Sequence, residues 1–149
     1  MAISQNNNQI QPKWPLQIDG AHGPYASVTS AAQSLKQDFV FLLQTIPGEW
    51  PMNPDLGVGI ETYLFENYES LELTNVRSNI DTQLKKYLSN IKLLDAKFIN
   101  TSENQDDSIT TLQISYVIAN LGIQDEINFG LNNVTRTIVN IESLNSKVI

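Results

Sequence analysis

The 149-residue chain is acidic: 9 Lys plus Arg stand against 16 Asp plus Glu, giving a net charge of −7. That charge argues against tight binding to a nucleic-acid backbone. There is no cysteine and one histidine, His22, which excludes a disulfide framework, a thiolate nucleophile and a multi-histidine metal site within one chain.

Residues 1–13 form an arm that is rich in Gln and Asn and has no apolar periodicity. This composition predicts a segment that is mobile, or that becomes ordered only on a partner. Its start lacks the basic and apolar regions of a secretion signal. Residues 14–131 are predicted to form one domain, and residues 132–149 a C-terminal tail that carries a further strand.

The first predicted helix spans about residues 30–45. Ser30 and Gln33 have the spacing of a capping box, and apolar residues recur along one face behind them. Pro47 and Gly48 end the helix, because proline removes a backbone donor and glycine favours turns.

The second predicted helix spans about residues 71–88. Ser70 is its expected N-cap, and Lys85 and Lys86 lie in the last turn, where the helix dipole favours positive charge. Between the two helices, residues 60–64 are predicted to form a short apolar turn.

The remaining chain is strand-like. Its alternation of apolar and polar residues slips at Leu93 and Leu94, which suggests a β-bulge. Four runs are predicted as strands: 91–100, 108–120, 126–131 and 135–141. Helices followed by consecutive strands with short turns indicate an α+β fold, with two main helices packed on a small antiparallel sheet, an extended N-terminal arm and a C-terminal strand.

The most unusual segment is "PGEWPMNPDLGVG", from Pro47 to Gly59. It is not a phosphate-binding loop, because its G-x-G is followed by neither a third glycine at the right offset nor Lys-Ser/Thr. A shaped scaffold loop fits better. Gly57 and Gly59 are expected to allow positive φ or close backbone approach. Asp55 is expected to accept from amides just after it, as an Asx-turn or as a cap on the short turn at residues 60–64. Three apolar side chains are expected to pack along the loop: Trp50, Met52 and Leu56.

No catalytic residue, cofactor site or metal ligand is assigned. His22 lies in a Gly/Pro-rich segment without a nucleophile-elbow motif, so it is interpreted as a surface residue. Composition alone does not exclude a glycosidase site, because the chain has several carboxylates that could form the required pair. The acidic residues of the polar helix face and the turns are nevertheless interpreted as solvated: Asp81, Glu103, Asp106, Asp107, Asp125 and Glu126.

The same loop resembles the signature of the phage baseplate wedge family of contractile tails, which includes W-like and tail-lysozyme-like baseplate proteins. The likeness covers about Trp14 to Leu131. The matching positions are Pro47, Gly48, Glu49, Pro51, Met52, Pro54, Asp55, Gly57, Gly59, Leu64, Phe65 and Glu66.

The chain departs from the family pattern at several positions. Trp50 and Asn53 stand where the family usually has arginines, and Val58 where it often has cysteine. Downstream, Leu88, Ser89 and Asn90 replace a Glu-Pro-Arg triplet that contacts neighbouring wedge subunits. The resemblance therefore implies where the wedge contacts lie, but the family's charged contacts do not carry over to this chain. The wedge-contact candidates are Tyr87, Leu88, Ser89, Asn90 and Ile91.

The resemblance implies a structural protein of the virion that lies in the tail baseplate and is assembled in the host cytoplasm. The implied partners are other wedge subunits and the tail sheath protein, with hub or tube proteins as further candidates. No nucleic acid and no membrane insertion are expected, since no apolar run approaches the length of a membrane span.

The C-terminal run is predicted to dock the first sheath ring by strand exchange, and an ordinary edge strand in its own sheet is the alternative. The sheath-contact candidates are Thr135, Thr137, Ile138, Val139 and Ile141. Two other functions stay open at this point: a muralytic, lysozyme-like tail enzyme, and a soluble regulatory binding module with the same fold.

Overall fold

A computed structural model describes residues 9–19, 24–64, 70–101, 109–132, 137–142 and 147–148. The fold is α+β, as predicted. In chain order the elements are β1 (Gln11–Pro12), β2 (Ser27–Val28), α1 (Ala31–Gln44), α2 (Ile60–Leu64), α3 (Ser70–Tyr87), β3 (Ile91–Thr101), β4 (Ile109–Ile118), β5 (Ile123–Asn132), β6 (Thr137–Glu142) and β7 (Lys147–Val148).

The chain divides into two compact units, residues 1–41 and residues 42–149. In the first unit β1 pairs antiparallel with β2, with Gln11 opposite Val28 and Pro12 opposite Ser27. Gln11 and Pro12 belong to the arm predicted to be mobile or ordered only by a partner. The structure pairs this dipeptide with the same chain.

A glutamine side chain fastens the N-terminal segment to α1 within the first unit. Gln37 Nε2 donates to Pro12 O at 3.0 Å, and Trp14 N donates to Gln37 Oε1 at 2.9 Å. The Trp14 ring also tilts against Phe41, with 5.8 Å between ring centroids. The segment is therefore held by backbone pairing, by an amide clamp and by a ring contact.

The second unit is built on an antiparallel sheet of order β3-β4-β5-β6, with β7 also pairing β5. The register between β3 and β4 shifts between Leu93 and Asp95, which confirms the predicted irregularity at this point. Leu94 is the residue that this shift leaves unpaired in the ladder.

One face of the sheet carries the core of the second unit. β4 buries alternate residues, and Leu112 and Ile114 lie opposite Phe129 and Ile127 of β5. The helix α3 packs against β3. Further buried apolar side chains of this unit are Leu42, Leu43, Val58, Ile60, Val76, Ile80, Leu84, Ile91, Ala96, Tyr116 and Ile118.

The strand β5 begins at Ile123, three residues before the predicted start at Glu126. A buried carboxylate explains this difference, because Asp125 occupies a core-facing position where alternation calls for an apolar residue. Asp125 Oδ2 accepts from the buried Tyr116 hydroxyl at 3.2 Å, and Oδ1 accepts from Glu126 N at 2.8 Å. Burial and the charge of Asp125 raise the pKa of Tyr116 well above its ordinary value.

The C-terminal strands lie along the outer edge of β5. Ile127 to Asn132 pair with β6, and Ile123 and Gln124 pair with β7. The predicted run 135–141 is thus a strand from Thr137 to Glu142 that pairs with its own sheet, while Thr135 lies outside the described residues. Within the described ranges, no helix is both long and apolar enough to cross a bilayer.

Candidate functional site

The segment between α1 and α2 folds as three consecutive tight turns, each with proline in its second position. Glu49 N donates to Ile46 O at 3.1 Å, and Asn53 N donates to Trp50 O at 3.0 Å. Leu56 N donates to Asn53 O at 3.1 Å. Proline fixes the φ that this second position requires. We call residues 46–56 the triple-turn loop.

Two further bonds close the triple-turn loop on itself. Gly48 N donates to Pro54 O at 2.9 Å, and Ile46 N donates to Glu49 Oε2 at 3.1 Å. Gly48 has φ of +96°, which suits glycine at the third position of a type II turn. These bonds define a tip, residues 49–53, that projects from a closed base.

The chain just after the triple-turn loop completes the C-terminal end of α1. Val58 N donates to Leu42 O at 3.0 Å, and Gly59 N donates to Thr45 O at 2.8 Å. These amides satisfy carbonyls that the end of a helix leaves unpaired. Gly57 has φ of +110°, and a Cβ there would lie 2.2 Å from Thr45 O. The predicted need for glycine is therefore confirmed at Gly57, and at Gly59 with φ of +64°.

Side chains on one face of α3 bind the triple-turn loop and the residues just after it. The buried Gln83 makes two bonds: Gly57 N donates to its Oε1 at 3.2 Å, and its Nε2 donates to Asp55 O at 2.9 Å. A side-chain amide placed in this way gives the loop backbone the same donor and acceptor that a neighbouring strand would offer. The Gln37 amide makes the same pattern with Pro12 and Trp14 in the first unit.

Three other side chains of α3 extend this contact. Asn79 Nδ2 donates to Val58 O at 3.4 Å and to Tyr63 Oη at 3.3 Å. Tyr87 Oη donates to Asn53 Oδ1 at 3.0 Å. Lys86 Nζ lies 3.6 Å from Asp55 Oδ2 and 5.1 Å from the centre of the Tyr87 ring. A hydrogen bond with Tyr87 raises the pKa of Lys86, and Asp55 adds to that rise.

The sequence did not indicate Asn79 and Gln83, because both flank the apolar stripe that identifies the helix. A signal was present: Asn79, Gln83 and Tyr87 are spaced four residues apart, which places them on one face of a helix. A polar row beside an apolar stripe is consistent with a second packing partner.

The tip of the triple-turn loop corrects one expectation. Trp50 and Met52 were predicted to pack along the loop, but their side chains are 56% and 96% exposed. The hydrogen-bonded turns direct the backbone towards solvent at Trp50 and Met52. The chain then returns to the core at Val58 and Ile60. The tip is therefore an exposed apolar surface on a hydrogen-bonded frame.

The expected cap at Asp55 is also wrong. The four amides that follow it donate elsewhere: Leu56 N to Asn53, Gly57 N to Gln83, Val58 N to Leu42 and Gly59 N to Thr45. The exposed Asp55 carboxylate lies near Lys86 instead.

Of the wedge-contact candidates, Tyr87 contacts the triple-turn loop through its bond to Asn53, whereas Asn90 bonds to the turn after β4. Asn90 Oδ1 accepts from Asn120 Nδ2 at 3.0 Å, and Asn90 O accepts from Ala119 N at 2.9 Å. Ser89 and Asn90 are exposed, whereas Ile91 is 2% exposed and packs inward, so Ile91 cannot offer its side chain to a partner.

Other predicted site residues lie apart from this region or outside the described residues. Phe65, Glu66, His22 and Thr135 are not among the described residues. Asp125, interpreted from sequence as solvated, is buried beside Tyr116. Over the described ranges, no group of three or more His, Asp or Glu side chains could hold a metal ion.

Comparison with known proteins identifies the family. The family model of baseplate wedge protein gp25 matches residues 29–121, more than half of the chain. The chain belongs to this family. This membership makes it a structural baseplate wedge protein.

Solved structures share the fold at low sequence identity. A protein of the anti-feeding prophage baseplate aligns with a TM-score of 0.60 at 20% identity, over 74% of this chain and 85% of that chain. A protein from Geobacter sulfurreducens, provisionally named a tail lysozyme, gives 0.56 at 19%, over 72% and 95%. A protein of the post-contraction pyocin R2 baseplate gives 0.51 at 18%, over 69% and 97%. No curated protein matches the sequence.

Proposed function

We propose that the chain joins wedge subunits in the baseplate and docks the first sheath ring by strand exchange through its C-terminal run. Membership of the baseplate wedge family supports the first part. The observation that carries the second part is the position of β6, which is the last strand of the order β3-β4-β5-β6.

An edge strand of this kind can be exchanged without dismantling the sheet. The pairing of β3 with β4 extends from Ile91 to Thr101, and that of β4 with β5 from Thr110 to Ile118. Release of β6 breaks only the ladder along Ile127 to Asn132. Main-chain pairing with a strand of the sheath protein would restore those bonds and needs little side-chain specificity.

Each of three consecutive segments of the chain has its own proposed role. Residues 1–13 are an arm that a partner can order further, residues 14–131 carry the wedge joint, and residues 132–149 carry the exchanged strand. Assembly takes place in the host cytoplasm. At the wedge joint, the exposed Ser89 and Asn90 take the place of a charged triplet, so contacts there are made by hydroxyl and amide groups.

Two truncations test the strand-exchange role. A chain that ends after Asn133 lacks β6 and β7, whereas a chain that ends after Glu142 lacks only β7. We expect both to fold and to join wedge partners. Only the shorter chain should fail to nucleate sheath on assembled baseplates. Normal sheath polymerisation from baseplates that carry the shorter chain would show that the run is an ordinary edge strand.

A further inference from the structure

We infer that the tip of the triple-turn loop is a docking knob, which inserts Trp50 and Met52 into an apolar socket rimmed by basic side chains on another baseplate subunit. The inference rests on the proposed role as a wedge joint and names the surface that makes the joint. It concerns the loop tip and is separate from the C-terminal strand.

The tip exposes large apolar side chains, which are usually buried in a folded protein. Among the residues of the second unit whose exposure is described, Met52 and Trp50 are the most exposed large apolar ones, and Ile46 at the base of the loop is exposed as well. The prolines Pro47, Pro51 and Pro54 add further exposed apolar surface. Exposed apolar side chains gathered in one short loop are typical of an interaction site.

The frame beneath the tip is fixed before any partner arrives. The three turns, the bond from Gly48 N to Pro54 O and the Gln83 amide hold the backbone from both sides. A preorganised loop loses little conformational freedom on binding, so more of the contact energy appears as affinity. Trp and Met are also enriched in the buried centres of interfaces.

The charges around the tip indicate the rim of the socket. Glu49 and Asp55 flank the apolar side chains in the sequence, and Lys86 Nζ lies 3.6 Å from Asp55 Oδ2. The whole chain carries a net charge of −7, so an acidic partner would be repelled. A socket with Arg or Lys at its rim matches both carboxylates, and an Arg there can also stack on the Trp50 ring.

The knob can be tested against the other wedge proteins of the same baseplate, expressed together without this chain and used as the binding probe. Trp50→Ser with Met52→Ser should raise the Kd at least 30-fold while leaving the melting temperature unchanged. Leu121→Ser is the matched control, because Leu121 is a 43% exposed apolar residue in a turn of the same unit. Its Kd should match that of the unaltered chain.

Two further readouts address the chemistry of the socket. In a Trp14→Phe background Trp50 is the remaining tryptophan, and its emission should shift to the blue when the wedge proteins bind. Asp55→Asn should weaken binding at low salt and have little effect at high salt, because screening removes the contribution of the rim charges.

The outcomes separate this inference from the proposed function. If the unaltered chain binds the wedge proteins and the double variant binds within threefold of it, the knob is wrong and the joint lies elsewhere. An unchanged Trp50 emission in the bound state would contradict the knob in the same way. If the unaltered chain does not bind the wedge proteins, both the knob and the wedge-joining role fail.

Discussion

Gln83 and Gly57 are 26 residues apart in the sequence, yet the amide of Gly57 donates to the side-chain oxygen of Gln83 at 3.2 Å. This bond attaches the segment after α1 to the C-terminal part of α3. The other end of the same amide group binds Asp55 O. The position of the exposed tip therefore depends on the buried Gln83 side chain, which lies outside the loop that carries the family signature.

We predict that Gln83→Leu destabilises the protein by about 1–3 kcal/mol, because it leaves the Gly57 amide and the Asp55 carbonyl without their partner. Chemical denaturation measures the change in the free energy of unfolding. Gln124→Leu is the control, since Gln124 is exposed on β5, and its effect should be within about 0.5 kcal/mol. Equal stability of the two variants would show that the Gln83 amide does not hold the loop.

A pair of glycine substitutions separates backbone strain from steric clash. Gly48 and Gly57 both have positive φ, but an added Cβ meets nothing within 4 Å at Gly48 and lies 2.2 Å from Thr45 O at Gly57. Gly48→Ala should therefore cost about 1–3 kcal/mol from strain alone. Gly57→Ala should cost more, because the backbone must also move away from Thr45. Thermal melts decide the order, and a smaller loss at Gly57 than at Gly48 would contradict the packing described.

Several features of the fold follow from local sequence rules. The ends of α1 and α3 lie within one residue of their predicted positions. Pro47-Gly48 stops α1, and Ser89 and Asn90 disfavour continuation of α3. The bulge at Leu94 shows as a slip in alternation. The turns of the loop likewise follow from proline in their second positions.

The features that the sequence did not predict depend on contacts between distant residues. Strand β5 starts three residues before its predicted start, because a buried Asp125 stands where alternation calls for an apolar residue. Its partner Tyr116 lies on another strand. The exposure of Trp50 and Met52 was missed because composition favours burial of such side chains. Asn79 and Gln83 gain their roles only when the loop folds back onto α3.

The Tyr116 hydroxyl provides a prediction at alkaline pH. Its pKa is raised in the folded state, so the unfolded chain loses this proton first, near the ordinary tyrosine pKa of about 10. The stabilisation is thus complete below about pH 10 and declines above it, by up to about 1.4 kcal/mol per pH unit. Tyr116→Phe should remove this part of the decline between about pH 10 and 11.5. Denaturation curves across that range provide the measurement, and an unchanged slope in the variant would contradict the assignment.

We predict that the purified chain does not hydrolyse peptidoglycan. A glycosidase needs two carboxyl groups that flank a substrate, one of them with a raised pKa. The buried carboxylate of the described residues, Asp125, is bonded to Tyr116 and to a backbone amide inside the core. A zymogram with a known muramidase as positive control is the measurement. Clearing that a single Glu→Gln or Asp→Asn change abolishes would overturn the prediction.

The strand-exchange role is tested most directly by an electron cryo-microscopy map of the baseplate with its first sheath ring attached. The account predicts main-chain hydrogen bonds between Thr137–Glu142 and a strand of a sheath subunit. A map in which this run pairs with β5 of its own chain and with no strand of the sheath would contradict it.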